Sequence, residues 1–444
     1  YHFILIYHYN IVMEKKVTKK EESEEEVEEI EEVEEEEDEI GEDFAKDPRA
    51  FALWLDAGKV ADLALKHVIS LVKPDANIYQ LCVAGDSFIR TELGKVYNKK
   101  KYTKGVAFPT SISVNEICGH FSPSAVDTDE VAKKLVTGDV VKIDLGVQIH
   151  GFAAVAAHTV VCGEDKVTGK KADVILAAYN ALQASLRLFN VKSNSNDDVT
   201  NVIKTVTDSY NVTPIEGVLS HKMRRDIIDG FETIINKSTN EQKVDIRDFE
   251  HGDVFGLDVI ISTGEGKPKE TQVKTTIYKR ALETTYKLKS DSSRKLLSVV
   301  EHNFFNFPFS LNAFDNEENI KTTKQIDNLK NVVKIGLTEC VNHELFYPHP
   351  VLSEKKGEIV AQFKWTIAVR NEGPFVLCGE LLDLSKFESQ YSITDDKVKA
   401  LLEKSADPFL PNSKKAVKVV VKKDNKAKKA KKKEAKEKKA AEEK

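Results

Sequence analysis

The chain has 444 residues, 31% charged and 41% hydrophobic, enough for one large globular core or two moderate ones. Its net charge of −6 conceals an asymmetry: residues 21–43 hold 17 carboxylates and no basic residue, whereas residues 414–444 hold 15 Lys against 5 carboxylates. Residues 44–413 carry only −2, a pattern that excludes a uniformly basic nucleic-acid coat and an integral membrane protein.

In chain order, Tyr1–Val12 is apolar and lacks an initiator Met, while Met13 opens MEKKVTKK as an ordinary start would. Residues 1–12 are therefore read as an extension ahead of the natural start. A signal peptide would place basic residues before the apolar stretch, and twelve residues fall short of the roughly 20 that span a bilayer. No membrane insertion is expected. Residues 1–47 read as an acidic, disordered arm: Val27, Ile30 and Val33 fall at helical spacing, but dense Glu repulsion opposes a lone helix. An arm that mimics or fends off nucleic acid is the alternative.

The folded part is expected from Asp47-Pro48. Phe51, Leu55, Val60, Leu63, Ala64, His67, Val68 and Leu71 trace the stripe of a long helix stopped by Pro74, and a second helix runs through Leu81, Ala84 and Ile89. Asp139–Cys162 changes to strand period around His150-Gly151 and predicts a β-hairpin. Helices are expected over 171–189 and 197–209, strands over 231–235, 254–262 and 358–370. A long, mainly helical stretch lies between the last two, with an Asn/Lys-rich loop at Asp315–Asn331. The alternation indicates an α/β or α+β domain. Five cysteines (Cys82, Cys118, Cys162, Cys340, Cys378) without a CxxC pair argue against a disulfide framework or zinc ribbon and for a reducing compartment.

STGEGKPK (Ser262–Lys269) fails the phosphate-loop spacing, since Ile261 stands where the first Gly belongs and Pro268 follows Lys267. It reads as a tight Gly-rich connection. HExxH, GxSxG and kinase signatures are missing. Asp144 in KIDLG and Asp258 in FGLDV do sit inside apolar strand patterns. There a carboxylate costs several kcal/mol unless paired, metal-bound or protonated. Each demands a partner, and His120 and His221 are the candidate histidines nearby. Either a metal site or a set of satisfied structural polar groups fits the composition.

Taken together, AFPTSISVNEICGHFSP (107–123), DVVKIDLGVQIHGF (139–152), IEGVLSHKM (215–223), STGEGK (262–267), TTIYKR (275–280) and AQFKWTI (361–367) resemble, in order and spacing, the type 2 methionine aminopeptidase group. The likeness covers roughly 48–380. It is strongest to that group's non-peptidase branch, the proliferation-associated (ErbB receptor-binding) proteins. The resemblance implies a pita-bread fold over 48–385, two pseudo-symmetric halves around a groove, with a helical insertion at about 282–350. A helical extension would follow at 386–413 and a Lys-rich disordered tail at 414–444.

The peptidases of that group hold two divalent metals with Asp, Asp, His, Glu and Glu, because two close dications need several carboxylates to neutralise them. By resemblance Asp144 matches the first Asp, Val155 stands at the second, and the His falls near Val218–His221. Asp258 replaces the first Glu and Lys364 the second. His120 matches a substrate-side histidine, while Ile228-Asp229-Gly230 lacks the other. At an effective dielectric near 20, an ammonium about 4 Å from a dication is repelled by roughly 8 kcal/mol. No metal and no cofactor are therefore expected, and Lys364 is expected to place its ammonium against Asp144 and Asp258 in the metals' stead.

Without catalysis, the charge pattern directs attention to the tail. Its lysines, among them Lys422, Lys423, Lys428, Lys429, Lys431, Lys432 and Lys433, have the density of phosphate-backbone contacts or of nuclear and nucleolar import. A merely solvated tail is the plain alternative. It holds no aromatic residue for base stacking. Lys222, Arg224, Arg225, Lys267, Lys269, Lys279 and Arg280 are further candidates for a composite RNA-binding surface. The resemblance implies association with the large ribosomal subunit and its rRNA, roles in ribosome assembly, translation and growth control, and shuttling between cytoplasm, nucleus and nucleolus. Val398–Leu402 (VKALL) resembles the branch's LxxLL co-regulator motif, and a short amphipathic helix explains it equally well. The alternatives are a metal-dependent aminopeptidase with altered ligands and a nuclear transcriptional co-regulator.

Overall fold

In the computed structural model, which describes residues 40–125, 128–316, 320 and 328–404, the chain folds earlier than its composition indicates. Ile40 and Phe44, assigned above to the acidic arm, are buried in the first core. Asp47 then caps helix α1 (Pro48–Leu71), its carboxylate accepting from the Arg49 N–H, with Pro48 in the first turn where no amide donor is needed. Helix α2 (Ile78–Leu93) is capped by Asn77.

The next segment, which has no strand periodicity because Thr110, Ser111 and Ser113 interrupt it, is strand β1 (Lys104–Val114). The expected hairpin is formed by β2 (Val140–Ile149) and β3 (Phe152–Val161), turning through His150 and Gly151, both at positive φ. Two helices follow, α3 (Gly169–Leu186) and α4 (Asn196–Ser209). The second half is completed by β4 (Leu219–Met223), β5 (Thr233–Ile235) and β6 (Val254–Ser262).

The insertion holds helices α5 (Asp291–Phe304) and α6 (Leu329–Asn342) and is less helical than expected. Strands β7 (Ile277–Arg280) and β8 (Phe346–His349) join Phe309–Ser310 in a three-stranded sheet, and the whole encloses its own core around Phe309, Phe314 and Phe346. Much of the Asp315–Asn331 loop lies outside the described residues. Strands β9 (Val360–Arg370) and β10 (Gly373–Cys378) close the domain. The 386–413 extension is only partly helical: a short parallel strand, Phe387–Glu388, precedes helix α7 (Asp396–Glu403), and residues beyond 404 lie outside the described part.

The main sheet has nine strands in the order β1-β2-β3-β9-β6-β4-β5, with β10 on β9 and Thr213–Pro214 on β6. One face is covered by helices: Ile143, Leu145 and Val147 of β2 pack with α1, while Leu257 and Val259 of β6 and Phe363, Trp365 and Ile367 of β9 pack with α3. Alternation sends Asp144, Asp258 and Lys364 to the opposite face. That face is the groove of the expected pita-bread fold. At the sheet's end, the outward carbonyls of β5 are capped from α4, Thr233 by the Asn196 amide at 2.9 Å and Ile235 by the Thr200 hydroxyl at 2.7 Å. All five cysteines are free and buried, and among the described residues no helix is long and apolar enough to cross a membrane.

Candidate functional site

Register builds the site. Asp144 on β2 stands opposite Ala157 on β3, Ala157 opposite Lys364 on β9, and Lys364 opposite Asp258 on β6. Directly opposed residues share a face, so the four side chains form one row across four adjacent strands. Because Ala157 is only a methyl group, the lysine reaches over it: Nζ lies 2.6 Å from Asp144 Oδ2 and 3.0 Å from Asp258 Oδ2. Gln362, two residues before Lys364 on the same face, donates its amide to both Asp258 oxygens at 2.9 and 3.1 Å. The Phe108 ring covers the ammonium at 5.4 Å.

Burial opposes a charged Lys364, but Asp144 and Asp258 outweigh it and hold the ammonium above the usual lysine range. Asp144 is raised, first by burial and then by the charge of Asp258, with Lys364 acting against both. Its Oδ1 has no hydrogen-bond partner among the described residues. One ammonium thus serves two carboxylates and leaves the cluster negative.

The histidines stand around this row. His120 donates from Nδ1 to the Pro350 carbonyl at 3.0 Å and packs edge-on against His349 at 5.3 Å. His221 Nδ1 meets the Gly230 carbonyl at 2.8 Å. Burial lowers all three imidazoles, and with the neighbouring His120 it takes His349 to about 3, so they are neutral at pH 7. Asp229 is bound by Lys279 Nζ at 2.5 and 2.6 Å. Gln362, His349, Phe108 and Ala157 were not singled out from sequence. Only Gln362 carried a usable signal, its period-two spacing from Lys364.

The residues present do not fit a dinuclear metal centre. The Lys364 ammonium occupies the space between the Asp144 and Asp258 carboxylates, the two ligand-position carboxylates that remain, and would repel a cation there. Val155 turns methyl groups toward the same face, packed so closely over Gly146 and Gly256 that a Cβ at either glycine would stand 3.0 Å from a valine carbon. Among the described residues no cluster of His, Cys, Asp and Glu is arranged to hold a metal ion. Val155→Asp with Lys364→Glu is nearly isosteric at the first position and removes the cation at the second. That double variant is expected to gain a saturable rise in Tm with Mn²⁺ or Co²⁺ that the parent lacks. Equal shifts in both proteins would show that these two side chains are not what excludes metal.

The basic candidates separate by exposure. Lys222 bridges Glu232 at 3.0 Å and Asp253 at 2.7 Å, Lys279 holds Asp229, and Arg280 pairs with Glu301 at 2.5 Å. Arg225 donates to the Ile40 carbonyl at 3.1 Å and meets His150 at 2.8 Å. Arg224, although it contacts Glu232, is exposed, as are Lys267 and Lys269. In VKALL, Val398 is buried and Leu401 and Leu402 pack against the second core, so its apolar face already covers the domain. Lys422, Lys423, Lys428, Lys429, Lys431, Lys432 and Lys433 lie outside the described residues, as do residues 1–39.

Residues 53–278 match the model of metallopeptidase family M24. The chain is 41% identical over 366 residues to "Proliferation-associated protein A" of Dictyostelium discoideum, covering 82% of this chain and 89% of that one. It is 38% identical over 371 residues to a Schizosaccharomyces pombe protein named "Curved DNA-binding protein", covering 82% and 93%. Among solved structures, a thermophilic Arx1 superposes with a TM-score of 0.73 at 29% identity, over 81% of this chain and 99% of that one.

Proposed function

The chain belongs to metallopeptidase family M24 and, within it, to the proliferation-associated proteins, and from that footing we propose that it is a non-catalytic protein that binds RNA and the large ribosomal subunit. Its work would lie in ribosome assembly, translation and growth control, across cytoplasm, nucleus and nucleolus. The observation that carries the non-catalytic half is the Lys364 ammonium seated between Asp144 and Asp258. In a peptidase of this family those carboxylates would face metal.

The binding half is supported by charge. The segment 414–444 carries 15 Lys against 5 carboxylates beside a folded core close to neutral, and such a segment binds polyanions through counterion release. Neutralising Z phosphates makes log K fall with log[salt] at a slope of about −0.7Z for single strands. Exposed Arg224, Lys267 and Lys269 would add contacts from the core. A second reading, a nuclear co-regulator on DNA, is favoured by the name of the fission-yeast relative.

Sedimentation of lysate through sucrose gradients tests the reading. Co-migration with large subunits at low salt, lost as salt rises and lost at low salt after truncation at Asn412, is the expected result. A protein absent from ribosomal fractions at low salt but retained on chromatin would overturn it in favour of the second reading.

A further inference from the structure

Between α2 and β1, residues 94–103 read GKVYNKKKYT, and Lys104 opens the strand. Lys95, Lys99, Lys100 and Lys101 are exposed, and no Asp or Glu occurs from Lys95 to Val114. None of these lysines was among the basic candidates read from the sequence. Lys95 is shared with Glu92 at 2.5 Å, which leaves the run Lys99–Lys101 as the cationic crest of the loop.

The loop is fastened at both ends. Lys104 Nζ donates to the Leu93 carbonyl at 3.0 Å, the Val96 carbonyl at 2.7 Å and Asn98 Oδ1 at 3.2 Å. One ammonium thus takes up the carbonyl that ends α2 and shapes the turn after it. Tyr97, at a positive φ of 51°, is tied to α1 by its hydroxyl, which donates to Asp56 Oδ2 at 2.7 Å. Tyr102 stacks on His150 of the β2–β3 turn with centroids 4.5 Å apart, and the His150 N–H donates to the Thr103 carbonyl at 2.6 Å. His150 in turn meets the Arg225 guanidinium at 2.8 Å. The crest therefore stands on a fixed base, and its basic character runs on through Arg225 to exposed Arg224.

We propose that Lys99, Lys100 and Lys101 are the folded core's contact with the phosphate backbone of RNA. The assignment rests on the RNA reading above and deepens it by giving that reading a site outside the tail. A fixed base lowers the ordering cost of binding, so the ammonium groups are presented to a polyanion in advance. The loop's apolar side chains, Val96, Tyr97 and Tyr102, pack against the first core, which leaves none to bury in a lipid surface. With both tyrosine rings engaged, the loop grips phosphates and reads no base.

The test uses the full chain and fluorescently labelled single-stranded RNA, poly(U) and a mixed sequence of equal length. Lys99→Gln, Lys100→Gln and Lys101→Gln together are expected to weaken binding by roughly 10–100-fold at 0.1 M salt and to flatten the salt slope by about 2. The loss should be equal on both RNAs. Lys386→Gln, Lys397→Gln and Lys399→Gln remove the same charge from the exposed 386–399 stretch and are expected to change binding several-fold less. In the parent, bound poly(U) should shield Lys99–Lys101 from acetylation, read by mass spectrometry. Equal losses in the two triple variants, or unchanged acetylation, would overturn the site while leaving RNA binding by the tail in place. A loop variant that keeps its RNA affinity but loses phosphatidylserine vesicles would assign the loop to a membrane surface instead. A parent without salt-dependent RNA binding would overturn the RNA reading and this site with it.

Discussion

Lys364→Met lowers the free energy of unfolding by about 3–5 kcal/mol at pH 7, the range for removing one partner of a buried ion pair. The side chains of Lys364, Asp144 and Asp258 are 14%, 8% and 12% exposed, so water screens little of the loss. The variant strands two carboxylates and leaves Gln362, which donates to both Asp258 oxygens, as the nearby side-chain donor. The pH dependence identifies the cause. Lys364 is raised in the fold, so its contribution is complete below the unfolded lysine pKa and fades only above it. Asp144 is raised, so in the variant the defect grows as pH climbs through the carboxylate range and shrinks in acid, where the carboxyls are neutral. Urea denaturation at pH 4 and pH 7 measures both. Adding Asp144→Asn and Asp258→Asn to Lys364→Met should recover much of the loss. A Lys364→Met protein within 1 kcal/mol of the parent at pH 7 would mean that the ammonium does not hold the groove together.

Lys142→Met is expected to act in the opposite direction. Lys142 lies on β2, two residues before Asp144, and is 1% exposed. Its Nζ donates to the carbonyls of Asn115 at 2.9 Å and Val360 at 3.1 Å, and no carboxylate among the described residues forms an ion pair with it. Burial takes it from 10.5 down to about 7, against the weaker pull of Cys118, Glu116 and Asp139. Between those two values the unfolded chain binds more protons than the folded one, so stability rises with pH from about 7 to 10.5. The slope approaches 1.4 kcal/mol per pH unit, and the total is on the order of 4 kcal/mol. Methionine removes that slope and should leave the protein about 1–4 kcal/mol more stable at pH 7. The Asn115 carbonyl keeps a donor in the Val360 N–H at 3.1 Å. Denaturation at pH 7, 8.5 and 10 decides it: a parent curve flat across that window refutes the account.

What was legible in the sequence depended on whether a residue's meaning lay in its own neighbourhood. The β2–β3 hairpin was readable because His150-Gly151 interrupts two alternating runs, and α1 because its stripe begins at an Asp-Pro cap. Strand β1 was not, since Thr110, Ser111 and Ser113 are buried polar residues that break the apolar pattern and are satisfied only by the assembled sheet. The Lys364 bridge was expected only through the resemblance, which puts Lys364 at a ligand position beside two strand aspartates in need of a cation. Its geometry was not expected, because the role of Ala157 exists only in the register of four strands joined across more than two hundred residues. His349 belongs to the insertion and reaches the groove through tertiary packing, which no local pattern announces. Composition misplaced Ile40 and Phe44, whose acidic neighbours outvoted two anchors of the core.

The sealed rim of β5 bears on the polyanion binding proposed above. If several copies load onto one long nucleic acid, their sheet ends meet at local concentrations far above those in free solution, the condition under which bare strand edges recruit one another. Asn196 and Thr200 have already taken the carbonyls that such a strand would need. Copies crowded along a polymer can therefore share it and separate again, rather than growing into a common sheet.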